Sequence, residues 1–523
     1  MFDLLIANGL IVDGTGNPGY YGTVAIMGDE VTILRGDISG VPAARVLDAS
    51  NRVVCPGFID IHTHSGLSLL VRPHHEPKIL QGVTTEVVGT DGLCWAPTKS
   101  REDLLRHILL NSACDGAPDL SYDWRTVEEF LSNYDRKVSC NVAYLVGNNP
   151  LRSATVGWQD RRATGDEIAA MKSLLRKGLE QGAFGLSSGL DYPPGSYADT
   201  AELVALCSEA NKLGGFYHTH VRYSLGDRFI DPYEEAIAIG RQSGIPVHIT
   251  HIYQRVPVRG GYRRLLDLVD CARRDGMDVT FDNQPYPYLG GTLVLTFPQW
   301  ARNDGPEAFL QLIASKEGRR RIEKELVPAF GTWSEWWLTG FERPENRNWE
   351  GRSVADIVQA TGKSTVDALC DLLVEEQLHL SYVVGGINMT TLPLLIQHPA
   401  WMLGSDCIYG GEAPNPRAYG AFPFILGNYV REDGFLTLTE AIRKMTSAPA
   451  QRLGLKTRGL LHDGFKADIT VFDPETVHAT ATRLQPRSYP VGIDYVIVNG
   501  TIVADHGRHT GAVPGVALRR GRD

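Results

Sequence analysis

From residue 53 to residue 406, apolar stretches that read as strands alternate with stretches that read as helices. The strand candidates are VVCPGFIDIHTH (53–64), TTEVVGTD (84–91), NVAYLVGNN (141–149), AFGLSSGL (183–190), GGFYHTHV (214–221), IPVHITHI (245–252), DVTFDNQPY (278–286) and WMLGSD (401–406). Helical patterns lie between them. In DEIAAMKSLLRKGLEQG (166–182), Met171, Leu174, Leu175 and Leu179 share one face and Gly182 stands at the end. TAELVALCSEANKLGG (200–215) and DPYEEAIAIGRQSG (231–244) have the same texture. Repeated βα units of roughly 25–40 residues require a parallel sheet, closed or open, because each crossover helix returns the chain to the same strand direction. SYVVGG (381–386) is a ninth candidate, one too many for an eight-stranded barrel.

The ends of the chain differ from this middle. DLLIANGLIVDGTG and GTVAIMGDEVTILRGD near the start, and DGFKADITVFD and DYVIVNGTIVADHGRHTG near the finish, read as short strands joined by tight turns. Neither end is long enough for a comfortable core alone. The expectation is one small β domain built from residues 1–55 and 455–523, flanking a barrel at 56–454. Residues 287–350 fit the βα repeat poorly, hold five tryptophans (300, 333, 336, 337 and 349), and read as an inserted subdomain, either a lid or simple core packing.

The donors fall at strand ends. His62 and His64 close the first strand, Asp91 the second, His220 and His251 two central ones, and Asp406 the last. In a parallel α/β barrel the C-terminal ends of all strands open onto one face, so these six residues would converge there. Imidazole with carboxylate suits zinc or another borderline divalent metal. Taken singly the pieces are weak: an isolated HxH is usually incidental, and an Asp after Gly-Ser is usually a turn or cap. His218 shares a strand face with His220, so spacing does not separate the two.

With a net charge of −10, the chain is ill suited to binding a phosphate backbone as its main activity. Eight scattered cysteines without a CxxC pair read as reduced thiols in the cytoplasm. The N-terminus carries no signal-peptide pattern, and no apolar run of about 18 residues suggests a membrane span. ATGKST (360–365) lacks the first glycine of a P-loop, since position 357 is Ile357, and reads as a helix-terminal turn. His74 and His75 follow Pro73 in a loop and read as surface residues.

The ordered set PGFIDIHTHSG, GVTTEVVG, GLSSGLDYPPGSYADTAEL, THVR, EEAIAIGRQSGIPVHITH, GSD, NPRAYGAFPFILGNYVRE and DGFKADITVFDPETV resembles the amidohydrolase superfamily, and within it the D-aminoacylase (N-acyl-D-amino-acid deacylase) family. The resemblance implies a (β/α)8 TIM-type barrel with a small β-sandwich domain, one or two zinc ions, and hydrolysis of an amide C–N bond in a small-molecule substrate. By the same resemblance His62 and His64 fall at the first metal position, His220 and His251 match the tight zinc ligands, and Asp406 matches the catalytic aspartate that accepts and returns the proton. Arg417 matches a residue that holds the substrate carboxylate, and Tyr192, Tyr286 and Thr292 fall at pocket positions. Asp91 stands where the family has a metal-binding cysteine, with Cys94 three residues later as the rival ligand. Tyr253 stands where the family often has a lysine, which removes a positive charge from the substrate end. The competing readings are a hydrolase of cyclic amides, whose relatives often use a carboxylated lysine that AFGLSSGL lacks, and a non-catalytic metal-binding scaffold. Neither a nucleic-acid nor a membrane partner is expected, and a homo-oligomer is compatible with the sequence.

Overall fold

The computed structural model describes residues 1–223, 228–255, 260–329 and 331–522. Eight parallel strands form one sheet: β1 Phe58–Asp60, β2 Val83–Val88, β3 Asn141–Gly147, β4 Gly185–Gly189, β5 Phe216–His220, β6 Val247–Ile249, β7 Val279–Asn283 and β8 Trp401–Leu403. Neighbours in sequence are neighbours in space throughout. Just past their ends β1 and β8 meet: Asp406 N donates to His62 O at 2.8 Å, and His64 N donates to Cys407 O at 3.2 Å. That seam closes the TIM-type barrel.

All eight strands expected from the apolar runs are the barrel strands. The ninth, Ser381–Gly385, instead forms the centre of a three-stranded antiparallel sheet with Tyr288–Thr292 and Trp336–Thr339. The insertion between β7 and β8 therefore reaches beyond residue 350, because its last strand pairs with its first. Trp336 is buried and packs its ring 4.5 Å from that of Tyr382. Trp333 packs on Trp336 and Trp337 on Tyr288, so these three serve this sheet, whereas Trp300 lies apart, bonded to Glu325 with Arg321 over its ring.

Helix limits follow local capping. Thr164 and Glu167 form a capping box at the start of helix Gly165–Glu180, Asp199 caps Thr200–Lys212, and left-handed Gly244 ends Asp231–Ser243. Gly362 likewise ends helix Val354–Thr361 and Ser364 caps Thr365–Glu375, so ATGKST is a turn between helices.

Strands from both chain ends form a single nine-stranded sheet, curled around its own apolar cluster of Leu4, Ile6, Val24, Ile26, Val54, Ile469, Val471 and Ile497. The run 53–64 is divided between the two sheets. Val53–Pro56 lies between strands Phe2–Ile11 and Ile469–Phe472, and Phe58–Asp60 enters the barrel. Gly57 is the joint: a Cβ there would sit 2.2 Å from the Thr84 side chain. The last residues do not all stay with the end sheet. Val142 N donates to Val516 O and Leu518 N donates to Val142 O, and Leu518 packs with Ile59, Leu145, Phe184 and Phe216.

Replacing Gly57 by alanine forces backbone or Thr84 to move, and overpacking of this kind costs about 1–3 kcal/mol. A lowered unfolding midpoint is expected for Gly57→Ala and none for Gly165→Ala, where a Cβ meets nothing within 4 Å; equal midpoints would contradict this.

Candidate metal centre

Each donor reaches the barrel mouth from a strand end or the turn after it. His62 and His64 follow β1, Asp91 follows β2, His220 ends β5, His251 follows β6 and Asp406 follows β8. All six are buried. Asp91 Oδ2 lies at their centre: 3.2 Å from His62 Nε2, 3.4 Å from His251 Nε2, 3.5 Å from His220 Nδ1 and 3.6 Å from His64 Nε2. Asp406 Oδ1 is 3.3 Å from His64 Nε2 and 3.7 Å from His62 Nε2. Asp91, His251 and Asp406 hold left-handed backbone, with φ of 53°, 38° and 48°. Non-glycine residues pay for this conformation, and such strain collects at functional sites.

The donors fit a cation. Of the three donor groups among the described residues, two share Asp91: His62–His64–Asp91–Asp406 and Asp91–His220–His251. Nitrogen and oxygen ligands bonded at about 2.0–2.2 Å lie roughly 3–3.6 Å apart around one ion, the spacing seen here. His62 Nε2, His220 Nδ1 and Asp91 Oδ1 are buried and make no hydrogen bond. Burial alone would raise the Asp91 carboxyl, yet His62 and His251 hold it well below the usual carboxylate range. Against the same burial, Arg417 and His64 hold Asp406 down to about 2. Both carboxylates are ionised at neutral pH.

A second layer orients the first, as is common around metal ligands. Asp282 Oδ2, on β7, sits 3.1 Å from His62 Nδ1 and 3.0 Å from His248 Nε2, and its Oδ1 accepts from His251 N at 2.8 Å. Asp60 Oδ1 accepts from His62 N and Ser405 N, and buried Lys78 joins Asp60 to Ser405 beneath the seam. Sequence reasoning missed Asp282, Asp60 and Lys78; the available signal for the two acids was charge inside an otherwise apolar strand, while Lys78 lies in the short helix Glu76–Ile79. His75 is a correction: it is buried, not a surface residue, with Nε2 3.0 Å from Glu86, while the side chain of His74 is half exposed.

Spacing leaves two alternatives open, His218 and Cys94, and both have other surroundings in the structure. His218 lies below the centre, its ring 5.1 Å from that of His248 and 5.2 Å from that of His62. It groups with His62 and Asp282, but those two already bond each other. Cys94 turns away: its Sγ accepts from Gly147 N at 2.8 Å, and burial pushes the thiol up to about 11.

A cavity of about 240 Å³ opens over the donors. His64, Asp91, His220, His251 and Asp406 form its floor, and Tyr192, Tyr253, Arg255, Arg302, Tyr382 and Arg417 are in its walls. The insertion contributes Leu289, Gly290, Leu295, Arg302 and Ala329, so it walls the cavity without presenting a tryptophan. Arg417 Nη1 bonds Asp406 Oδ2 at 2.9 Å, and its Nε and Nη2 are buried without a hydrogen bond. Two expected pocket residues lie elsewhere. Tyr286 packs on Phe424 with its hydroxyl 3.4 Å from Ala481 O, and Thr292 turns its hydroxyl to Val294 N at the start of a short helix. Both depart because the insertion's sheet redirects the chain after β7.

The sequence profile of the amidohydrolase family matches residues 45–267 and 335–504. The chain belongs to that family. This amidohydrolase is 33% identical over 521 residues to a D-aminoacylase of Alcaligenes xylosoxydans xylosoxydans, covering 99% of this chain and 98% of that one. A crystal structure of an N-acyl-D-glutamate deacylase from Bordetella bronchiseptica, complexed with zinc and a phosphonate inhibitor that mimics the tetrahedral intermediate, matches with a TM-score of 0.84 and 32% identity. That match covers 99% of both chains. A D-hydantoinase structure matches at a TM-score of 0.56 and 16% identity over 99% of both chains, a likeness of fold.

Elemental analysis tests the assignment of donors. Cys94→Ser should retain the wild-type metal content, whereas Asp91→Ala should lose at least one equivalent; loss of metal from the cysteine variant alone would reverse the assignment.

Proposed function

We propose that this amidohydrolase cleaves the amide bond of N-acyl-D-amino acids, with zinc as its ion and Asp406 as the group that moves the proton. The observation that carries this reading is the double engagement of Asp406. One oxygen faces the imidazoles of His64 and His62, and the other is held by the Arg417 guanidinium at the cavity wall. A carboxylate so placed stands between the donor cluster and the end of the cavity that attracts anions.

His62, His64 and Asp406 would hold one divalent ion and His220 and His251 a second, with Asp91 belonging to both donor groups. A divalent ion bound there would supply Lewis acidity at the floor of the cavity. Asp406 accepts the proton of the attacking water and returns it to the departing nitrogen. Arg417 steadies the substrate carboxylate through Nε and Nη2, which have no other hydrogen bond. Tyr192 and Tyr253 face the cavity as hydrogen-bond donors; burial pushes the Tyr253 phenol up to about 12, so it keeps its proton at neutral pH. Arg255 and Arg302 add positive charge to the same cavity, which offsets the lysine absent at Tyr253 and favours anionic substrates.

A cyclic-amide hydrolase is the weaker reading: β4, Gly185–Gly189, has no lysine to carboxylate. The complete donor set argues against a non-catalytic scaffold. Among the described residues no helix is long and apolar enough to cross a membrane. Eight free thiols suit a cytoplasmic enzyme.

Asp406→Asn should lower turnover of N-acetyl-D-amino acids by at least about 10²-fold while metal remains bound. Arg417→Met should raise KM for substrates bearing the carboxylate more than for the corresponding N-acyl amines. Wild-type turnover in Asp406→Asn, or a wild-type protein idle on both D and L panels, would overturn the reading.

A further inference from the structure

His220 differs from the other three histidines of the centre. His62, His64 and His251 present Nε2 to Asp91 Oδ2, but His220 presents Nδ1, at 3.5 Å. Its Nε2 points the other way, 3.2 Å from Asp191 Oδ2. The ring is clamped edge-on between Tyr192 and Tyr223, with centroids 5.1 Å and 5.0 Å away. That clamp fixes the plane of the imidazole without choosing between its two flipped orientations. A half-turn about the Cβ–Cγ bond would bring carbon, not Nδ1, toward Asp91.

We infer that Asp191 is a positioning residue: by accepting the Nε2 proton of His220 it selects the orientation and tautomer that leave the Nδ1 lone pair directed at Asp91. Nδ1 is buried and makes no hydrogen bond, as a lone pair reserved for a ligand would be. Asp191 is itself held in place. It occupies the turn in which Tyr192 N donates to Gly189 O, and its own carbonyl accepts from Arg302 Nη1 at 2.9 Å. The arrangement parallels Asp282, which serves His62 from within the barrel, but Asp191 lines the cavity. The imidazoles of His62 and His220 would thus be oriented by different carboxylates: one in the dry core, the other in the cavity wall.

This inference rests on the two-ion reading above and predicts a selective effect on affinity. Zinc binding to metal-stripped protein would be followed by chelator competition for wild type, Asp191→Leu and Asp191→Asn. Loss of such an outer partner typically weakens metal binding 10–100-fold. Asp191→Leu should weaken one of the two binding steps by about that factor, leaving the other step and the unfolding midpoint of the metal-free protein unchanged. Asp191→Asn keeps an oxygen that accepts from Nε2, so it should show a smaller loss in the same step. Wild-type affinity at both steps in both variants would overturn the role of Asp191, and so would equal weakening of both steps. A wild-type protein that binds no zinc would instead overturn the two-ion reading itself.

Discussion

The seam between β1 and β8 is the constraint on which the centre depends. His62 and His64 lie more than three hundred residues from Asp406, and they meet only because the barrel closes. Two backbone hydrogen bonds make that closure, and the buried Lys78–Asp60–Ser405 cluster lies beneath it. Removing one partner from a buried ion pair typically costs about 3–5 kcal/mol, because the remaining charge is left without compensation. A charged cluster is an expensive way to hold two loops together, but it is directional. It orients the backbone N–H groups of His62 and Ser405 toward one carboxylate, and so sets where the next residues point.

On that frame the centre gathers negative charge and strained backbone in one place. Asp91 and Asp406 are ionised although buried, and Asp282 stands directly behind His62. Such a cluster is stable only with compensating positive charge, which Arg417 supplies at the edge and a bound cation would supply at the middle. Left-handed backbone at Asp91, His251 and Asp406 adds a cost of order 1–3 kcal/mol each. The rigid strands immediately before these residues absorb it. Conformations that a free loop would relax are thereby maintained at the mouth of the barrel.

Much of this was legible in the sequence because it is local. Apolar runs separated by amphipathic helices revealed all eight barrel strands, and donors at strand ends could be read as a group once a shared face was assumed. What was not legible depends on partners remote in sequence. Ser381–Gly385 looks like any other strand; only its pairing with Tyr288–Thr292 assigns it to the insertion. Tyr286 and Thr292 precede and end that first inserted strand, and the direction of their side chains follows from the same pairing. His75 reads as a loop residue until Glu86, on the next strand, is found 3.0 Å away. Asp282 and Asp191 receive no role from the sequence: one is an acid in a strand, the other an acid in a turn within GLSSGLDYPPGSYADTAEL, and their meaning comes from the imidazoles they face.

The central claim is that Asp91 is the shared ligand of two ions. Anomalous diffraction from crystals of the zinc-loaded protein, recorded on both sides of the zinc absorption edge, tests it most directly. The account predicts two peaks flanking the Asp91 carboxylate, one bounded by His62, His64 and Asp406 and the other by His220 and His251. A single peak away from Asp91, or none at the barrel mouth, would contradict it.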